Sequence, residues 1–423
     1  MNRQPFRLVV ALSVLLPILA SCSPLFGSRE SGSGGGTPGG GGPGGDNGGG
    51  VTYTLTVTVV GEGTVTINPD RAEYSSGDEI EITASPEQGH FLSHWSGDGR
   101  ADGWLSEDLD LVIDGNTTIT AVFSPDLWRQ ATAAAGWPAR EGHAVVSYSG
   151  QLWILGGING SLLNDVWSSS DGEEWAKVEP IGGEIWSGRM GHGAVVHDAN
   201  EGDDEEIWVI GGAFLRDVWR STNGAAWTRA TDEAPWSART EFLALAHSGK
   251  LWVMGGLDGE GNLLNDVWSS PNGATWTTES TGEIWSPRRG HVGVVFQNKL
   301  WVLGGIGAGD TLLNDVWSSS DGVTWTPATA DAEWLVRSGH AAAVHDGKIW
   351  VFGGQSSGLR RYRDVWSSED GETWTAEPHG SWSPRHKHRA LSHNDRLWLI
   401  GGEQQWPAPG TTNDVWYLPH PLE

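Results

Sequence analysis

The chain has 423 residues, with 53 acidic against 26 basic side chains and a formal net charge of −27 at pH 7. Such a surface repels nucleic acid and anionic lipid, which excludes the binding modes that rest on a broad basic face. Cys22 is the single cysteine, so there is no disulfide framework and no cysteine-based metal site.

Residues 1–21 read as a bacterial lipoprotein signal peptide. Arg3 and Arg7 form a positive start, Leu8 to Leu19 is apolar, and Leu19-Ala20-Ser21-Cys22 matches a lipobox. Twelve apolar residues are too few for a helical span, which needs about 20. Cys22 is therefore the expected lipidation site, and multiple acyl chains on it would anchor the chain stably. The expected location is the bacterial cell envelope, facing the periplasm or the exterior. Removing the signal takes away Arg3 and Arg7 and no acid, leaving 24 basic and 53 acidic residues and a net charge of −29. Residues 22–50 follow as a tether. Its Gly-, Ser- and Pro-rich part, residues 31–50, spans about 25 Å on average as a flexible coil.

From 51 to 125 the pattern changes to a small β-rich domain. Tyr53 to Val59, Glu79 to Thr83 and Thr117 to Phe123 alternate with period two. With Gly61-Glu62-Gly63, Gly89-His90-Phe91, Trp95-Ser96-Gly97 and the closing Ala121-Val122-Phe123, this stretch resembles the divergent internalin-type B-repeat. The resemblance implies a spacer or adhesion module.

Between Leu127 and Trp416 one unit of about fifty residues recurs six times. It runs Trp-x-x-Arg, an apolar strand, Leu/Ile-Trp-x-x-Gly-Gly, Asp-Val-Trp, a turn, then another Trp. The Asp-Val-Trp triplets end at Trp167, Trp219, Trp268, Trp317, Trp366 and Trp416, at spacings of 52, 49, 49, 49 and 50. A fixed period of this length means stacked units that bury their apolar faces on one another. Each unit spells four short strands with no 3.6-residue period. Asp171-Gly172 and its counterparts accept positive φ, and the expectation is a two-residue hairpin there. After Trp416 the turn and the last Trp are missing, whereas Leu127-Trp128-Arg129 stands ahead of the first unit. The economical arrangement is a ring in which the N-terminal strand completes the last sheet.

These features resemble the kelch family of β-propellers. The fold expected is all-β: a six-bladed kelch-type propeller over 126–420, closed by its N-terminal strand and preceded by the small all-β domain. Four Trp positions in six blades account for 24 of the 27 tryptophans, which marks most of them as packing between blades. Trp406 breaks the pattern in a long loop and is a candidate surface contact.

The variable loops share one face of the ring, where recognition usually lies. The six arginines Arg140, Arg189, Arg239, Arg288, Arg337 and Arg385 belong to that face. Two roles are open to them. They can form a cationic ring for carboxylates or acidic sugars, as the kelch resemblance implies, or each can pair with the aspartate of Asp-Val-Trp. Arg360 and Arg361 form a basic patch with Arg363. His143, His192, His291, His340 and His388 follow the arginines at a fixed offset, with Phe242 in the third unit, and read as packing histidines.

The function expected is a membrane-anchored extracytoplasmic binding protein whose loop face meets an extracellular or periplasmic protein or glycan, with no nucleic acid partner and no cofactor or metal. The rival is a sugar-processing enzyme resembling the kelch-type sialic-acid mutarotases, with Glu241 beside Arg239 as the acid–base pair. The copper chemistry of galactose oxidases needs a Tyr–Cys cross-link, and the single cysteine, Cys22, lies at the lipobox rather than in the repeats.

Overall fold

The computed structural model describes residues 51–98, 107–199, 205–279, 284–358, 360–405 and 409–419. Cys22 and Trp406 lie outside the described residues.

The small domain contains two three-stranded sheets. Leu55–Val60 runs parallel to Thr117–Pro125, which pairs antiparallel with His90–Gly97. Glu79–Pro86 lies between Gly63–Asn68 and Asp108–Val112. The alternating residues of these strands meet in a core of Ile80, Ile82, Leu92, Trp95, Leu109, Ile119 and Phe123. Trp95, one of the tryptophans outside the repeat pattern, is fully buried there.

The repeats form antiparallel sheets stacked as the blades of a β-propeller. In blade 1, Ala144–Tyr148, Gln151–Ile158, Leu162–Ser169 and Ala176–Val178 pair in sequence order. Blades 2 to 5 repeat this order with inner strands Gly193–His197, Leu243–His247, Val292–Phe296 and Ala341–His345. In blade 6, Arg389–His393, Arg396–Gln404 and Gly410–Leu418 are joined by Arg129–Thr132 from the other end of the region. Val415 faces Thr132 and Tyr417 faces Arg129 in that pairing. Consecutive inner strands neighbour one another, and that of blade 6 neighbours that of blade 1, so the described sheets close on themselves.

The packing explains the tryptophans. The Trp of Trp-x-x-Arg stands edge-on to the outer Trp of its own blade, as in Trp186–Trp227 at 5.9 Å, and Trp382–Trp128 makes the same contact across the closure. The Trp of the second strand lies under the turn of the next blade. A Cβ on Gly224 would sit 2.2 Å from the Trp153 ring, and φ there is +68°, so both space and backbone require glycine.

One local expectation is corrected. The Asp-Gly and Asn-Gly pairs do not close two-residue hairpins. Asp171 Oδ1 accepts from the amides of Glu173 and Glu174, and Ser169 Oγ accepts from Gly172 N, which builds a wider capped loop with Trp175 inside it. The two-residue turns lie instead between first and second strands, as at Ser149-Gly150, where both φ values are positive. The outer strand accordingly begins after its Trp.

The small domain touches blades 5 and 6. Arg363 donates to the Leu92 carbonyl at 2.6 Å and lies over the Phe91 ring, while the His379 ring packs on Phe91 at 4.4 Å.

Candidate functional site at the channel mouth

The six arginines are internal girders. Each is fully buried, and its donors are taken by its own blade. Arg189 shows the pattern: Nε to the Ser187 carbonyl, Nη1 to the Gly211 carbonyl, and a two-pronged contact of 2.9 and 2.8 Å to Asp217. Arg140, Arg239, Arg288, Arg337 and Arg385 hold Asp165, Asp266, Asp315, Asp364 and Asp414 in the same way. The second oxygen of Asp217 also accepts from Trp219 Nε1 at 2.7 Å. Burial alone would raise the Asp217 carboxyl, but the hydrogen bonds and charge of Arg189 outweigh it and hold it low. These guanidiniums are therefore not available to ligand, which corrects the cationic-ring expectation.

Other expected residues are placed differently too. Glu241 does not meet Arg239; it pairs with Arg289 at 2.8 Å. The basic patch is divided. Arg361 pairs with Glu403 at 2.7 Å, Arg363 is drawn into the small-domain contact, where burial lowers its pKa to about 10, and Arg360 is exposed.

A different set of residues meets at the axis. Gly142, Gly191, Glu241, Gly290, Gly339 and Lys387 each donate their amide to the carbonyl of the residue before in this circle, and Gly142 N donates to Lys387 O. The distances run from 2.6 to 3.3 Å. All six have positive φ, between +49° and +61°. Four are glycine, which adopts this conformation freely. Glu241 and Lys387 adopt it at a cost of roughly 1–2 kcal/mol each, and non-glycine residues so held cluster at functional sites.

All six circle residues line a cavity of about 230 Å³. Further along the channel is a second space of about 150 Å³, bounded mainly by small or apolar residues of the inner strands. Arg389 borders both. Four of the six residues that immediately follow a blade arginine also line the first cavity, and they differ from one another: Met190, Arg289, Ser338 and His386.

One side of the mouth carries a charge network. His386 Nε2 lies 2.7 Å from a Glu403 oxygen and 3.8 Å from a Glu141 oxygen, and Lys387 Nζ is 3.5 Å from Glu141. The His386 hydrogen bond and then Arg361 hold the Glu403 carboxyl down at about 2. Glu141, His386 and Glu403 could offer three metal-ligand atoms within 4.8 Å of one another. Lys387 and Arg361 already balance the two carboxylates, which disfavours a dication there.

The packing histidines lie around the channel beside the blade tryptophans; the His291 and Trp285 rings are 5.5 Å apart. Burial, reinforced by the charge of Arg288, lowers the His291 pKa to about 3. Burial likewise keeps His143, His192, His340 and His388 well below the ordinary value. Carbonyls such as Met254 favour a ring N–H electrostatically but not at hydrogen-bonding geometry. These rings are neutral packing groups, with Phe242 in the same place in blade 3.

Sequence reasoning missed Arg389 and Arg289. Aligned by repeat, the Arg389 column reads Ala144, Gly193, Leu243, Val292 and Ala341 in the other blades, so a single charge among small and apolar residues was the available signal.

Comparison with known proteins places these elements. Residues 142–320 match the family model of the KLHDC2/KLHL20/DRC7 Kelch-repeats domain, and residues 337–367 match that of the Kelch motif. Residues 53–127 match the Divergent InlB B-repeat domain. No curated protein matches. A solved structure titled "Structure of YjhT" is similar in fold, with a TM-score of 0.55 at 15% identity, over 68% of this chain and 96% of that one.

Proposed function

Because the chain is a kelch-repeat propeller protein with a divergent InlB B-repeat domain on its N-terminal side, we propose that it is a lipid-anchored binding protein of a bacterial cell envelope. The mouth of its propeller channel meets a glycan or protein ligand. One observation carries this reading: ionisable departures from the repeat, at Glu241, Arg289, His386, Lys387 and Arg389, converge on one 230 Å³ cavity. Packing gives no reason for Glu241, Lys387 and Arg389, since sister blades use glycine in the circle and small or apolar residues in the Arg389 column. The tether and small domain then stand between the lipid on Cys22 and the propeller.

The test is a glycan and sugar-acid array probed with the mature chain, repeated with Arg289→Ala and Lys387→Ala. Selective binding lost in these variants supports the reading; binding equal in all three refutes it. Fatty-acid labelling that persists in Cys22→Ser would remove the anchor from the proposal. A second reading, a sugar-processing enzyme, draws on the Glu241–Arg289 pair at the cavity, where a carboxylate beside a guanidinium can move a proton. Interconversion of sugar anomers by the wild type but not by Glu241→Gln would establish it.

A further inference from the structure

Arg389 differs from every other arginine of the propeller core. Its Nε donates to the His143 carbonyl at 2.7 Å, linking blade 6 to blade 1, which uses one of its five N–H donors. No carboxylate among the described residues lies within ion-pair distance of it. The inner strands pack around it while some of its surface stays open to the channel. Burial is the one cause acting on its guanidinium, lowering its pKa to about 10, and no acid raises it. A cation so placed destabilises the fold unless something anionic meets it.

The surroundings sharpen this. Around the mouth, Glu241 balances Arg289, while Glu141 and Glu403 are balanced by Lys387 and Arg361. Arg389 is the charge left over, positive in a chain whose net charge is −27. Its neighbours His143, His192 and His388 are held neutral by burial and, in part, by Arg389 itself. They supply no counter-charge.

We propose that Arg389 is the counter-ion for a small carboxylate ligand that enters the channel through the amide circle, with its acid group on the free Nη donors and its remaining atoms in the 230 Å³ cavity. A planar carboxylate matches the guanidinium fork. The cavity lies below the usual range of about 300–1,000 Å³ for drug-sized ligands, which suits a small organic or sugar acid. This deepens the reading of the mouth as the binding face and rests on it.

The experiment is calorimetry of the mature chain against a panel of hydroxy acids, keto acids and sugar acids, each paired with its uncharged amide, on wild type, Arg389→Ala and Arg389→Lys. At least one acid should bind, with its amide at least about tenfold weaker, as loss of a charged hydrogen bond gives. Arg389→Ala should lose that binding by at least about tenfold, and Arg389→Lys by less. Meanwhile Arg389→Ala, which restores the residue of blades 1 and 5, should melt at or above the wild-type temperature. The proposal is overturned if no acid in the panel binds, if acid and amide bind alike, or if Arg389→Ala binds as wild type does. Array binding that depends on Arg289 and Lys387 but not on Arg389 would leave the binding-protein reading intact while removing this one.

Discussion

Replacing His291 with Phe should make the propeller less sensitive to acid, by an amount the structure sets. In the folded chain His291 is 5% exposed and its pKa is about 3, while in the unfolded chain it returns to about 6.5. Between those values the unfolded state binds a proton that the folded state refuses. Stability from this site is therefore complete above pH 6.5 and falls as pH drops, by about 1.4 kcal/mol per unit. At pH 5.0 the loss is about 2 kcal/mol, against almost none at pH 7.5. Phe should fit, because Phe242 takes the same place in blade 3, with its ring 6.3 Å from Trp236. Urea unfolding followed by tryptophan fluorescence at the two pH values gives the comparison, provided the m-value is unchanged. His291→Phe should gain about 2 kcal/mol on the wild type between pH 7.5 and pH 5.0. If both proteins weaken in parallel over that range, the imidazole is not held neutral and the account of this layer is wrong.

Three further outcomes are expected. Gly224→Ala should cost about 2–4 kcal/mol in urea unfolding, from left-handed backbone strain and the clash with Trp153; a cost under 1 kcal/mol would show that the turn can move. Deleting Arg129 to Thr132 should lower the melting temperature by at least about 5 °C, because the strand that completes blade 6 is gone; unchanged melting would mean that closure contributes nothing. Lys387→Gly should be neutral to about 1 kcal/mol stabilising, since glycine relieves the positive φ, and should weaken ligand binding at the mouth. A clear loss of stability would assign Lys387 a structural role instead.

The repetitive part of the fold was legible because each blade solves the same packing problem with the same residues. Gly156-Gly157 illustrates this. The second and third strands shift register there, and a Cβ on Gly157 would meet the Glu141 carbonyl at 2.9 Å, so no other residue fits. The Arg–Asp pairing could be proposed from sequence but not decided, since a guanidinium at a loop end can turn inward or outward with the same spacing. Turn placement failed for a different reason. Asp171 and Ser169 cap a wider loop with side-chain oxygens, an alternative that Asp-Gly shares with the tight hairpin. The site was the least legible part. Sequence proximity pairs Glu241 with its near neighbour Arg239, whereas its partner Arg289 comes from the next blade, 48 positions away. The small-domain contact was invisible, because Leu92 and Arg363 are 271 positions apart and belong to no common repeat.

The circle of amides has a mechanical consequence. Six blades tied head to tail by backbone hydrogen bonds form an aperture that cannot widen unless a bond breaks, because no slack segment interrupts it. Entry is then governed by size, like a sieve with a fixed mesh, and a guest that fits would need no gate to open before it or shut behind it.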